Sequence, residues 1–265
     1  MLYNAPPPRI FFGELKLPIT DKTADMNLNP SIGGHGMNRY GYCIEHTRRH
    51  VHVEFEKTRP VLSSAPLNGG MVQADHILNL RVEKNAGGSH GPFEPLEVTI
   101  GNYCTKMGWS GHPVGMMTAA DAESFRKVCR KEQGVQVCTL VTTGISNARR
   151  AGDRAECRDI AEHHPGKGTI NIIILTNAGL TAGAMVEAVI TATEAKTAIL
   201  QDLGILNPVT GSQATGTGTD AIAIVGGFGP IQIQYCGKHM LFGEMIASTT
   251  MNAIKSSLKK QPGRT

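Results

Sequence analysis

Thr169-Ile-Asn-Ile-Ile-Ile-Leu-Thr176 is the stretch from which the fold is read. Its β-branched residues are stiff at χ1 and suit a pleated strand packed on both faces, so it reads as a buried strand. A few residues later, Thr181 stands as an N-cap before a long helix from Ala184 to Leu203. Gly204, which takes left-handed backbone freely, closes that helix. Working outward, Val135–Thr143 reads as a second buried strand and Asp220–Val225 as a third, with a closing helix from Lys238 to about Leu258. Towards the N-terminus, His50–Phe55, Val61–Ala65 and His76–Val82 alternate or run apolar as short strands, and Pro66–Gly70 is a turn. Glu83–Pro95 reads as a polar loop, followed by a helix to about Met107 and another over Ala119–Lys131. Strands adjacent in sequence, then interleaved with helices, predict an α/β fold: a single-domain layered sandwich with a mixed sheet covered by helices. Residues 1–48 read as an irregular N-terminal extension, 49–260 as the domain and 261–265 as a tail. The charged stretch Arg149–Lys167 reads as an exposed excursion.

Composition narrows the partners. Lys plus Arg exceed Asp plus Glu by 26 to 22, and Lys255, Lys259, Lys260 and Arg264 near the C-terminus account for the excess. A nearly neutral body gives no electrostatic reason to expect nucleic acid or an anionic membrane. No apolar run reaches the ~18–20 residues that span a bilayer, and the first residues lack a signal-peptide pattern. The expectation is a cytoplasmic protein, with homo-oligomerisation left open. Six scattered cysteines without a C-x-x-C pair read as reduced thiols.

Several segments carry polar groups where a fold alone does not ask for them. In Met185–Leu200, Glu187, Thr191 and Glu194 share one narrow helix face and Thr193, Lys196 and Thr197 another, with apolar residues in both gaps. Such a helix is buried on several sides, and charges on it must be paired or functional. Ala214-Thr-Gly-Thr-Gly-Thr-Asp220 alternates Gly and Thr, which brings amide N–H groups and hydroxyls together in a way that suits a developing oxyanion. Its spacing is neither a Walker loop nor G-x-G-x-x-G. Polar loops Leu62–Gly70, Thr142–Asp153 and Gly168–Asn171 lie at strand ends, where α/β sites are assembled. Gly237-Lys238-His239 opens the last helix and supplies an imidazole for acid–base work. Among histidines, His46, His50 and His52, and the pair His163–His164, are the only metal candidates; they are read as solvated, and no metal is expected.

Taken in order, these segments resemble the adenosylcobinamide amidohydrolase family. The resemblance rests on Val61-Leu-Ser-Ser-Ala-Pro-Leu-Asn-Gly-Gly70, Asn79-Leu-Arg-Val82, Gly115-Met-Met-Thr-Ala-Ala120, Thr143–Asp153, Gly168-Thr-Ile-Asn171, Gly183–Thr197, Ala214–Asp220 and Gly237-Lys-His239. It covers about residues 50–258 and departs at the N-terminal extension, at Glu83–Pro95 and at Arg154–Lys167. It implies hydrolysis of the amide joining aminopropanol to a propionate of adenosylcobinamide, a corrinoid small-molecule substrate. No cofactor is implied, since the corrin cobalt belongs to the substrate. On the matching positions, Glu194 or Asp220 is assigned as base for a water, the Gly216–Thr219 backbone as oxyanion donors and His239 as acid to the leaving amine. Lys196 and Arg150 hold propionate or amide groups, and Ser63 or Ser64 is the rival nucleophile. Ser63, Asn68, Gly69, Ser146, Asn147, Thr169, Asn171, Thr217, Gly218 and Lys238 complete the expected substrate surface. Two alternatives stand beside this reading: a corrinoid-binding or delivery protein without hydrolytic activity, and an amidohydrolase for an unrelated peptide-like substrate.

Overall fold

A computed structural model describes residues 36–82, 94–156 and 168–259. In chain order its elements are β1 (Tyr42–His46), β2 (His50–Ser63), β3 (Gly70–Arg81), α1 (Leu96–Lys106), β4 (Pro113–Thr118), β5 (Arg126–Glu132), β6 (Val135–Thr143), β7 (Ala148–Arg149), β8 (Ile170–Thr176), β9 (Gly179–Leu180), α2 (Ala182–Asp202), β10 (Gly216–Thr217), β11 (Ala221–Val225), β12 (Gln232–Ile233) and α3 (Leu241–Lys259). Most of residues 1–48, residues 83–93 of the Glu83–Pro95 loop, the His163–His164 pair and the tail 261–265 lie outside the described residues.

The main sheet runs β4-β3-β2-β11-β8-β6-β5, with β1 added beside β2. β3–β4 and β8–β11 are parallel and the other pairs antiparallel, so the sheet is mixed as expected. Alternation sorts its side chains into two cores. Ile170, Ile172 and Ile174 of β8 face α2 and α3, packing with Met185, Leu200, Ile246 and Ile254. Ile173 and Leu175 point the other way and share a core with Val53, Val61, Ile77, Val114 and Met116 from β2, β3 and β4. The sheet therefore curls, and its halves face each other across this second core. α1 covers the outside of the β3–β4 half through Leu78, Leu80, Ile100 and Cys104. Each fully buried Ile or Leu contributes about 1.5–3 kcal/mol by leaving water.

Three expectations are corrected. Ala119–Lys131 is not a helix: it holds the end of the β4 region, a single turn at Ala122–Ser124 and strand β5. The two strands read at His50–Phe55 and Val61–Ala65 are one strand, β2, interrupted by a register shift between Glu54 and Arg59. The cysteines are not all thiols, since Cys129 and Cys138, opposite each other in the β5–β6 ladder, form a disulfide. Their spacing of nine residues carries no motif; the β5–β6 hairpin is what brings them together.

Candidate active site

Asp220 closes the Gly-Thr loop at the start of β11. Its Oδ1 accepts from the Ile170 amide at 2.9 Å and the Thr217 hydroxyl at 2.5 Å. Its Oδ2 accepts from the Thr217 amide at 3.0 Å and from the ammonium of Lys196, which reaches over from α2. All four acceptor directions of the carboxylate are taken. The two side chains are only 9% and 10% exposed. Removing both charges from water is unfavourable by several kcal/mol per ion, which direct pairing and the surrounding donors offset. A Cβ on Gly216 would lie 2.5 Å from Asp220 Oδ2 and 2.9 Å from Lys196 Nζ, so a glycine lets the backbone pass this close to the pair.

Other predicted residues lie on the strand ends and loops that join β11 and the Gly-Thr loop to β2, β6 and β8. Ser63 and Ser64 bracket Ile222: Ser63 Oγ donates to its carbonyl at 2.9 Å, and Ser64 Oγ accepts from its amide at 3.1 Å. Ser64 is exposed, and its own proton is uncommitted among the described residues. The Gly168 carbonyl accepts from Thr219 Oγ1 at 3.0 Å. Gly168 has φ +99°, and a Cβ there would meet Asn147 Oδ1 and Ser146 Oγ at 2.7 and 2.8 Å. Asn147 also lies beside Gly218, whose added Cβ would sit 3.3 Å from its Nδ2. β7 pairs with β10, and Arg150 Nη1 donates to the Gln213 carbonyl at 3.2 Å, which ties the Thr142–Asp153 loop to the Gly-Thr loop. Asn68, at φ 53°, donates to the Pro113 carbonyl, and a Cβ on Gly69 would lie 2.3 Å from the Ala65 carbonyl oxygen, so both serve the turn after β2.

Beneath the loop, Thr169 Oγ1 donates to the Thr219 carbonyl at 2.6 Å and lies 3.2 Å from Asn171 Oδ1. Asn171, 1% exposed, uses its Nδ2 on Asn79 Oδ1 at 2.8 Å and the Met117 carbonyl at 2.9 Å. Asn79 belongs to a predicted strand and to the family-like stretch Asn79–Val82, with no site role expected of it. Its signal was an amide in the inward row of β3, where Ile77 shows that apolar side chains belong.

The remaining predicted residues stand on another face of α2. Glu187 Oε2 accepts from the Cys236 amide at 2.6 Å and Thr191 Oγ1 donates to the Cys236 carbonyl at 2.9 Å. Lys238 pairs with Glu194 in the open, with side chains 67% and 49% exposed. His239 follows, also exposed. Helical spacing puts positions 194 and 196 about 200° apart, so this pair and Lys196–Asp220 point away from each other. Burial, reinforced by the Glu187 carboxylate, pushes the Cys236 thiol up to about 12. A cleft of about 390 Å³ lined by Val135, Ile231, Ile233, Tyr235, Phe242 and Met245 lies at the far end of β6 from Thr143 and hence from Asp220. None of the predicted site residues lines this cleft.

His50 and His52 share a face of β2, but they are buried rather than solvated, each 4% exposed under α1. His50 Nδ1 bonds the Tyr103 hydroxyl at 2.9 Å, His52 Nε2 bonds His76 Nδ1 at 3.1 Å, and the Trp109 ring stacks on His52 at 3.7 Å. Among the described residues no group of three or more His, Cys, Asp or Glu is placed to hold a metal ion. Nor is any described helix long and apolar enough to cross a membrane.

Comparison with known proteins follows the same lines. The family described as adenosylcobinamide amidohydrolase matches residues 37–265. An uncharacterized protein of Methanocaldococcus jannaschii is 50% identical, over 82% of this chain and 88% of its own length. The adenosylcobinamide amidohydrolase of Methanosarcina mazei is 28% identical, over 74% of this chain and 88% of its own. A solved structure from Pyrococcus horikoshii matches with a TM-score of 0.44 and 13% identity, covering 83% of each chain.

Proposed function

The chain belongs to the adenosylcobinamide amidohydrolase family, and from that premise we propose that it hydrolyses the aminopropanol amide of adenosylcobinamide to adenosylcobyric acid and 1-amino-2-propanol. The observation that supports this most is the buried Lys196–Asp220 pair beneath the Gly-Thr loop, with the exposed Ser64 bonded to Ile222 of β11, two residues on from Asp220. Amide hydrolysis needs an attacking oxygen, stabilisation of the oxyanion and a proton for the leaving amine. With all four acceptor directions of Asp220 filled, one of them by the Thr217 amide, its part is to hold Lys196, whose ammonium and the Gly218 amide of the same loop stabilise the oxyanion. Ser64 attacks: its oxygen receives the Ile222 amide, and the proton it releases is the one the departing amine requires. Water then hydrolyses the ester on Ser64 and frees adenosylcobyric acid. Glu194, Lys238 and His239, across α2, are assigned to the substrate's periphery. The reaction is proposed to run without a metal cofactor and the protein to act in corrinoid salvage.

The test is incubation of EDTA-treated protein with adenosylcobinamide, following both products by liquid chromatography and mass spectrometry. Products should appear, and Ser64→Ala should lower kcat by at least about 100-fold, a floor well below what loss of a nucleophilic serine can remove. An acyl-enzyme on the Ser64 peptide is the expected trapped species. Near-normal turnover by Ser64→Ala would transfer the attack to water. A corrinoid that binds and stays intact would replace the enzyme with a carrier.

A further inference from the structure

Asn79 and Asn171 are 3% and 1% exposed, against a core of aliphatic and aromatic side chains that includes Ile77, Met116, Ile173 and Phe55. Carboxamides there are unfavourable unless every polar atom finds a partner. The partners define a directed chain. The Met117 carbonyl can only accept, so the Asn171 group facing it must be the amide nitrogen. That same nitrogen faces Asn79, which must therefore present oxygen and turn its own nitrogen to Thr142 Oγ1 at 2.9 Å. One backbone carbonyl thus sets the orientation of both carboxamides. It also leaves Asn171 Oδ1 facing Thr169, whose single hydroxyl proton is shared between that oxygen at 3.2 Å and the Thr219 carbonyl next to Asp220 at 2.6 Å. Between Thr169 and Asn171, the Ile170 amide donates to Asp220 itself.

We propose that Asn79 is a positioning residue for the candidate active site: it acts from the opposite half of the sheet, through Asn171 and Thr169, to hold the Gly-Thr loop and the Lys196–Asp220 pair in register. The inference rests on placing the reaction at that pair. Asn79 touches neither Lys196 nor Asp220 among the described contacts, so its effect passes through geometry, and small misplacements of a reacting group can lower turnover about 100-fold.

The experiment compares wild type, Asn79→Leu and Thr142→Val. Thr142→Val removes only the far end of the chain and leaves Asn171 with both its acceptors. Two readouts are taken on protein whose circular dichroism matches wild type: kcat and KM for adenosylcobinamide, and the acylation rate of Lys196 by a lysine reagent, read by mass spectrometry. Asn79→Leu is expected to lower kcat about 10–100-fold with KM changed less than threefold, and to raise Lys196 acylation at least fivefold. Thr142→Val is expected to stay within threefold on both. A folded Asn79→Leu protein with wild-type kcat and wild-type Lys196 reactivity overturns the proposal, as does a Thr142→Val protein equally impaired in both. If wild type does not cleave adenosylcobinamide, the functional reading fails by itself, and Lys196 acylation still decides whether Asn79 positions the pair. Should Asn79→Leu fail to fold, Asn79→Thr is measured in its place against the same two criteria.

Discussion

Lys196 and Lys238 are both lysines paired with a carboxylate by α2, yet the surroundings make them different objects. Lys196 and Asp220 are nearly sealed from water, whereas Lys238 and Glu194 are about half exposed or more. Breaking a buried pair strands a charge, at about 3–5 kcal/mol, while an exposed pair is worth about 0–1 kcal/mol. Asp220→Asn should therefore lower urea-unfolding stability by about 3–5 kcal/mol and Glu194→Gln by under about 1 kcal/mol, measured in parallel titrations. The sequence made α2 legible as a helix buried on several sides, because its apolar residues fill the gaps between two polar faces. Which carboxylate each lysine meets is not legible, since loops bring Asp220 to Lys196 and Lys238 to Glu194, and periodicity does not. Asn79 was hidden for a similar reason: one amide in an alternating strand reads like any solvent-facing residue until the opposite layer is in place.

Secondary elements were most readable where local preference and tertiary demand agree. Thr181 is such a point, since its hydroxyl accepts from the Ala184 amide at 3.1 Å as an N-cap should. Thr181→Ala should reduce unfolding free energy by about 1 kcal/mol, checked by denaturant titration, without moving KM. β5 shows the opposite case. Ala, Glu, Lys and Arg within Ala119–Lys131 favour a helix in isolation, but pairing with β6 overrides that weak preference. The overlooked signal was Gln133-Gly134: both have positive φ, 47° and 80°, in a two-residue link between the paired Glu132 and Val135. That is the backbone of a type I′ hairpin turn. β2 was divided in the reading because its register shift interrupts the alternation that marks a strand.

At the scale of the molecule, the histidines under α1 make stability depend on pH. Burial, then the neighbouring His76 and His50 rings, lower His52 to about 3. The unfolded chain takes a proton on His52 near its ordinary 6.5, so between these values the unfolded state binds more protons. The contribution of His52 is complete above about pH 6.5 and is lost progressively as pH falls towards 3. His46 and His50, also lowered chiefly by burial, act in the same direction. Urea midpoints should drop between pH 7.5 and 5, and His52→Phe should reduce that slope; an unchanged slope would remove His52 as its source. The layered plan itself was readable from the order of strands and helices, but the curl that makes one core common to both halves was not, because it arises from contacts between strands far apart in the chain. β2 belongs to both halves at once, pairing through residues 51–55 with β1 and through residues 61–63 with β11. Neither half can then be inherited, exchanged or lost as a module of its own, and over evolutionary time the layer under α1 and the layer bearing the Lys196–Asp220 pair must descend together.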